Sequence, residues 1–314
     1  MTAAEQPSGS GLRVRPLRGE ELVSAAVLVR SICQHDEVFN HADAIVEGRA
    51  GTVVGAFRGS DELIGVATLG PPASSSFRLF RVHVAAPVRR NGIGTALLDE
   101  LRRRSAGAPL IGRLRPWDVA SHGFSRACGL KVVEHAMSVE LDPAVPRVAR
   151  WIAATPLRTE AGAHMIEVDE PSLDEVASVL ARWYRRTHPY APLPPFPVDE
   201  ARRRFVDPAL DEAVVAIRRG QRMVAAGTLL ADPFAGNPGI AHLAFAGTAD
   251  PERDEITLVR MTYAACLRTA ARLGRRVRME VSDNHLAGWS VAASLPAVVR
   301  PELVMVAEPV RFRG

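Results

Sequence analysis

The stretch FRLFRVHVAAPVRRNGIGTALLDEL, Phe77–Leu101, decides the fold. Leu79, Phe80, Val82 and Val84 are apolar and partly alternating, the pattern of a strand packed in a sheet. Pro87 stops that strand, and Ala96, Leu97, Leu98 and Leu101 then recur at helical spacing. Between them, Gly92 and Gly94 remove side chains from the turn, so backbone N–H groups can approach an anion closely. Those donors open a helix, where they lack intrahelical partners and the aligned peptide dipoles add positive potential. Arg89 and Arg90 supply formal charge, and a diphosphate is the natural ligand of such a turn.

Two other glycine-rich readings fail on the same residues. A Walker A loop needs a Lys-Ser/Thr pair after its second glycine, and Gly94 is followed by Thr95 with no lysine nearby. A dinucleotide fingerprint needs three glycines and a later acidic residue, and only two glycines fit. The plain alternative is a Gly-x-Gly that only ends a strand and starts a helix; the two arginines and the helix downstream weigh against it.

The pattern Val82-x-Val84-x-x-Pro87-x-Arg89-x-x-Gly92-x-Gly94 resembles the acetyl-CoA-binding motif of the GCN5-related N-acetyltransferases (GNAT). A strand-like Leu110–Leu114 follows, then Asp118, Ser121, Phe124, Ser125 and Gly129-Leu130, which match the spacing of that family's downstream helix. The resemblance implies that the CoA pyrophosphate is held by Arg89, Arg90, Asn91, Gly92, Ile93, Gly94 and Thr95, with Val82, His83 and Val84 lining the thioester. It implies acetyl-CoA as co-substrate, no metal, and direct attack of a neutral amine with no covalent enzyme intermediate. Backbone N–H groups near Val84 would stabilise the developing oxyanion.

The chain departs from the family where the leaving thiolate is protonated. The tyrosine position falls on Ser125, a weaker acid with a shorter reach, so Ser125 through water, His122 one turn earlier, or solvent are the three candidates. For the base, His83 titrates in a suitable range, yet it alternates with Val82 and Val84. A catalytic histidine and a packed strand histidine both fit, while Asp118 reads as a helix N-cap.

Element order repeats along the chain. The first half reads as a strand at Leu12–Pro16, helices within Glu20–Gln34 and Asn40–Gly48, strands at Thr52–Phe57 and Glu62–Leu69, then the motif and further elements to Leu141. Residues 143–162 read as a connector with a short helix near Val148–Ala153. The second half restarts with a strand near His164–Val168 and a helix through Leu173–Arg185, for which Ser172 is the expected N-cap. Strands at Ala213–Ile217, Met223–Leu230 and Ile240–Ala246, a helix over Glu255–Leu273, a strand at Val277–Val281 and a short helix after Asn284 complete it. The expectation is an α/β class (α+β mixed sheet) made of two tandem GNAT-like acyl-CoA N-acyltransferase folds, residues 1–142 and 163–314. The second copy reads as degenerate. Its turn is Pro251-Glu252-Arg253-Asp254-Glu255-Ile256, without glycine and with carboxylates that would repel a pyrophosphate.

Composition narrows the partners. The 314 residues carry a net charge of +4, but the basic residues are almost all arginine, with Lys131 the one lysine, and are scattered among acids. No arginine stripe interleaves with aromatics, which argues against nucleic acid. Cys33, Cys128 and Cys266 are odd in number and far apart, which fits a reducing compartment. No run of about 18 apolar residues exists, so no membrane partner is expected and the expected location is cytoplasmic. A homodimer stays open. The expected acceptor is a small-molecule amine, and the loop His35-Asp36-Glu37-Val38-Phe39-Asn40-His41-Ala42-Asp43, with three carboxylates, favours a cationic one. The loop His188–Pro197 of the second half either lines the same cleft or braces the fold. The alternatives are a silent acyl-CoA-binding module, or an acyl-CoA hydrolase or decarboxylase on the same fold.

Overall fold

A computed structural model describes residues 11–34, 36, 39–59, 61–71, 77–190, 197–231 and 238–309. The chain packs into two units. One holds the chain to Leu114, Asp118–Val132 and the residues from Val306 onward; the other holds Arg115–Trp117 and Val133–Met305.

The first unit runs β1 (Leu12–Pro16), α1 (Glu21–Cys33), α2 (Ala42–Val46), β2 (Thr52–Arg58), β3 (Glu62–Leu69), β4 (Arg78–Val84), α3 (Ile93–Arg104), β5 (Leu110–Leu114) and α4 (Val119–Ala127), and reaches the start of β6 (Lys131–Leu141). Its strands order β1-β2-β3-β4-β5. All neighbours are antiparallel except β4 and β5, whose parallel pairing is the crossover that α3 makes. Small apolar residues of α1 (Ala25, Ala26, Val29) face Ala42 and Ile45 of α2 and Val53, Phe57 and Val66 of the sheet. On the opposite face α3 buries Leu97, Leu98 and Leu101 completely. It lies so close that a Cβ on Gly65 of β3 would stand 3.0 Å from Leu97 and 3.2 Å from Ile93. A buried leucine of this kind contributes about 2–5 kcal/mol against alanine.

The second unit repeats the order: β7 (His164–Ile166), α6 (Ser172–Thr187), α7 (Val198–Phe205), β8 (Ala209–Arg219), β9 (Arg222–Ala231), β10 (Ile240–Thr248), α8 (Glu255–Arg272), β11 (Arg276–Ser282), α9 (Leu286–Ser294) and β12 (Val298–Ala307), after a connecting α5 (Pro146–Ala153). Here the strands order β6-β11-β10-β9-β8-β7, again with one parallel pair, β10 with β11. Phe205 and Ala201, four residues apart, are what hold α7 to α6 and the sheet. Nothing in the sequence reading marked α7, whose three consecutive arginines hide a two-residue apolar stripe, or β12, which contains Pro301.

Two sequence expectations need correction. The boundary at residue 142 places all of β6 with the first half, but Ala136–Leu141 pair antiparallel with Val277–Ser282 of β11, inside the second unit. The chain after Met305 in turn belongs to the first unit, where the Glu308 N–H donates to the Leu110 carbonyl (2.9 Å) and its carboxylate takes the Leu110 N–H (3.0 Å) and Arg102 (2.7 Å). Ser172 is the first residue of α6 and not its side-chain cap; its own N–H donates to the Asp169 carboxylate at 3.1 Å.

Candidate active site

The site begins with a split between two strands. β4 and β5 pair only at Arg78↔Leu110 and Leu79↔Ile111, yet β4 continues to Val84 beside β3. Along β4 the amide groups alternate in direction. The Leu79 carbonyl accepts from the Gly70 N–H (2.7 Å) and the Ala85 N–H donates to the Ile64 carbonyl (3.0 Å), so odd-numbered residues turn their amides to β3. Val82 and Val84 therefore turn their N–H groups toward the side from which β5 has diverged. The Val84 carbonyl on that side accepts from Arg89 Nε at 2.9 Å, which ties the turn to the strand end.

The turn follows. Arg90 and Gly92 both have positive φ (68° and 75°), a conformation that glycine tolerates and that an arginine holds at a cost. The first helical bond of α3 runs from the Ala96 N–H to the Gly92 carbonyl, and Gly92 supplies no side-chain cap. The amides of Ile93, Gly94 and Thr95 thus precede the hydrogen-bonded ladder, and Arg89, Arg90, Asn91, Gly92 and Thr95 are exposed around them. A Cβ on Gly92 would meet nothing within 4 Å, which leaves the cradle open. A Cβ on Gly94 would stand 3.1 Å from the Phe124 ring, so this glycine also lets α3 pack on α4. These residues fit a pyrophosphate.

On the sheet face carrying α1 and α2, β4 presents its odd-numbered side chains. His83, 7% exposed, places Nδ1 3.5 Å from Cys33 Sγ and its ring 5.1 Å from that of His41, while its Nε2 is buried with no partner. Burial, then the neighbouring His41, Arg81 and Arg89, pulls its pKa down to about 3. His41 Nδ1 lies 3.0 Å from the Phe39 carbonyl and Nε2 3.2 Å from Thr68 Oγ1, and burial with Arg81 pulls it down to about 4. Burial and Asp36 push the Cys33 thiol up to about 11. The sequence reading named His83 but missed Arg81, His41, Cys33 and Thr68 around it. Arg81 could have been found from strand alternation, since it shares a face with His83; the others come from distant segments.

The two α4 candidates behave differently. Asp118 caps the helix, accepting from the Ser121 N–H at 3.1 Å. Ser125, 4% exposed, donates its hydroxyl to the Ser121 carbonyl at 2.9 Å, which uses its one proton inside the helix. His122 is half-buried on the preceding turn. In the acceptor loop, His35, Glu37 and Val38 lie outside the described residues, Asp43 is paired with Arg30, and Asp36 has an interaction of its own. Ala191–Phe196 of the other loop likewise lie outside. Among the described residues no group of three or more His, Cys, Asp or Glu could hold a metal ion, and no helix is long and apolar enough to cross a membrane.

The second unit keeps a split but closes the turn beside it. β10 pairs with β11 only from Ile240 to His242 and runs on to Thr248. At the following turn the Glu252 and Asp254 carboxylates are paired with Arg219 (2.9 and 2.7 Å), and Glu255 takes Arg186 (2.5 Å) and the Thr248 hydroxyl (2.6 Å). The N-terminus of α8 is therefore closed by paired charges, where the sequence reading had carboxylates that repel a pyrophosphate. A Cβ on Gly247 would stand 2.1 Å from the Trp183 indole, which occupies that face of β10.

In fold the chain is two tandem acyl-CoA N-acyltransferase units on mixed sheets, each with a strand split. Residues 20–130 match the model of the acetyltransferase (GNAT) family and form a domain of that family. Its general activity is transfer of an acyl group from acyl-CoA to an amine. Solved structures similar over the whole chain include a GCN5-related N-acetyltransferase from Sphaerobacter thermophilus, 14% identical with a TM-score of 0.66 and 96% of each chain covered. A tandem GNAT protein from the clavulanic acid biosynthesis pathway is 15% identical with a TM-score of 0.57, covering 94% of this chain and 98% of that one. A glucosamine N-acetyltransferase region of a fungal multi-domain GH3 β-N-acetylglucosaminidase is 12% identical with a TM-score of 0.66, covering 96% of this chain and 38% of that one. No curated protein matches the chain by sequence.

Proposed function

We propose that the first unit is an acetyl-CoA-dependent N-acetyltransferase acting by direct attack of a small-molecule primary amine. The observation that carries this is the β4–β5 split, which turns the Val82 and Val84 N–H groups toward the side from which β5 has diverged, at the strand end that leads into the Arg89–Thr95 turn. The amides of Ile93, Gly94 and Thr95, with Arg89 and Arg90, would hold the pyrophosphate of the co-substrate, which supplies the activated acetyl group. The Val82 and Val84 amides are the donors for the oxyanion that forms when the amine attacks the carbonyl.

Proton handling follows from the surroundings of each candidate. His83 Nε2 is buried without a partner, and a proton on Nδ1 toward Cys33 would make it a lone pair able to orient the attacking amine. A pKa near 3 makes it a weak base, so the amine reacts in its neutral form and the proton passes to solvent. Ser125 is bonded into its own helix, which leaves His122 or water to protonate the thiolate. The charges of the second unit's turn are matched internally, and this supports a non-catalytic role for that copy.

Calorimetric titration with acetyl-CoA tests the reading, with one equivalent expected and CoA thiol release on adding amines. A silent acyl-CoA-binding module is the second reading, favoured by the locked Ser125 hydroxyl; sustained CoA release with any amine sinks it. Release without an amine would instead mean hydrolysis.

A further inference from the structure

The residue at this site that neither the motif nor the mechanism uses is Arg81. It lies on β4 two residues before His83, beyond the last β4–β5 pair, and shares the α1/α2 face with His83. On that face the ring of His83 lies against Cys33 and His41, and the charge of Arg81 acts on all three. The side chain is half-buried, and burial followed by the like charge of Arg113 on β5 lowers its pKa to about 10, so it stays a cation. Among the described residues Arg81 enters no ion pair or hydrogen bond. The histidines beside it are neutral, and Asp43 of the nearby loop is matched by Arg30.

A partly buried guanidinium without a counter-charge gains when something anionic completes it. The planar fork of arginine matches a carboxylate in two parallel hydrogen bonds. We propose that the amine acceptor of this site also carries a carboxylate, which Arg81 receives while the amine faces the carbonyl in the strand split. This rests on the acyltransfer reading of the same site, and it replaces the cationic acceptor that the loop carboxylates suggested. Arg81 is then a specificity-determining residue: it holds the far end of the acceptor and takes no part in proton transfer.

The test compares ω-amino acids of three to six carbons with α,ω-diamines of equal length on the full-length protein. Initial rates of CoA release and direct calorimetric binding to the acetyl-CoA-saturated protein are both read. The wild type should favour the amino acids, and Arg81→Gln should lower their kcat/KM and affinity about 10- to 100-fold while the diamines, relieved of a like charge, lose neither. Arg81→Lys should recover part of the loss, which a merely structural effect would not. Preference for diamines, or a preference for amino acids that survives Arg81→Gln, overturns the inference. If no amine releases CoA but amino acids bind and Arg81→Gln weakens them, the recognition stands and the acetyl-transfer reading falls. If neither rate nor binding distinguishes the two ligand classes, the inference is wrong.

Discussion

Replacing Gly92 by valine separates the cofactor turn from the fold that carries it. The glycine sits at φ 75°, where an L-residue costs roughly 1–2 kcal/mol, and its Cβ would meet nothing within 4 Å. Stability of the first unit should therefore fall by only about that strain. The new side chain, however, projects beside the free amides of Ile93, Gly94 and Thr95. If it displaces two charge-assisted hydrogen bonds worth about 1.5–3 kcal/mol each, acetyl-CoA affinity drops by more than about 100-fold. Gly107→Ala is the matched control: φ there is 82°, its Cβ also meets nothing within 4 Å, and it lies beyond the far end of α3. Thermal melts and calorimetric titrations of both variants give the comparison. Affinity of Gly92→Val within about threefold of wild type, or an equal loss in the control, would refute the placement of the pyrophosphate.

Acid should weaken the first unit through His41 and His83, whose folded values of about 4 and about 3 lie below the ordinary 6.5. The unfolded chain binds more protons below about pH 6.5, so their contribution is complete above that value and is lost as pH falls toward the folded values. At about pH 5 each accounts for about 2 kcal/mol, readable as a lower urea midpoint than at pH 7; an unchanged midpoint contradicts the burial of the pair. Ser125→Ala removes a bond to the Ser121 carbonyl, so turnover should stay within about twofold and stability within about 1 kcal/mol. A tenfold slower enzyme would put Ser125 in the proton path. Glu255→Ala takes the carboxylate from Arg186 and Thr248, which keep their hydrogen bonds to each other (2.9 and 3.1 Å), and should cost the second unit about 1–3 kcal/mol by denaturant melts without altering acetyl-CoA affinity. Weakened binding there would give the second unit a direct part in the site.

What could be read from the sequence was local. The 77–101 stretch carries its strand, turn and helix in spacing alone, because Val82, Val84, Gly92 and Leu97 each satisfy a constraint set by near neighbours. The ownership of β6 was not legible, since a strand's alternation says which faces are buried but not which strand lies beside it. The surroundings of His83 were equally hidden: Cys33 is fifty residues away, and the low proton affinity of the histidine is a property of the enclosure they form together. Ser125 was recognised by its position in a pattern, but its hydroxyl had a nearer acceptor one helical turn back.

The return of the chain to Leu110 has a consequence during synthesis. The Leu110–Glu308 hydrogen bonds span 198 residues. At roughly 5–20 residues per second, about 10–40 s pass between translation of the cofactor turn and arrival of the residue that caps its neighbouring strand. Throughout that interval β5 has exposed backbone groups, a liability that strand edges present to other chains. Pausing or chaperone capture on the nascent chain should therefore matter more for the unit made first than for the one made last.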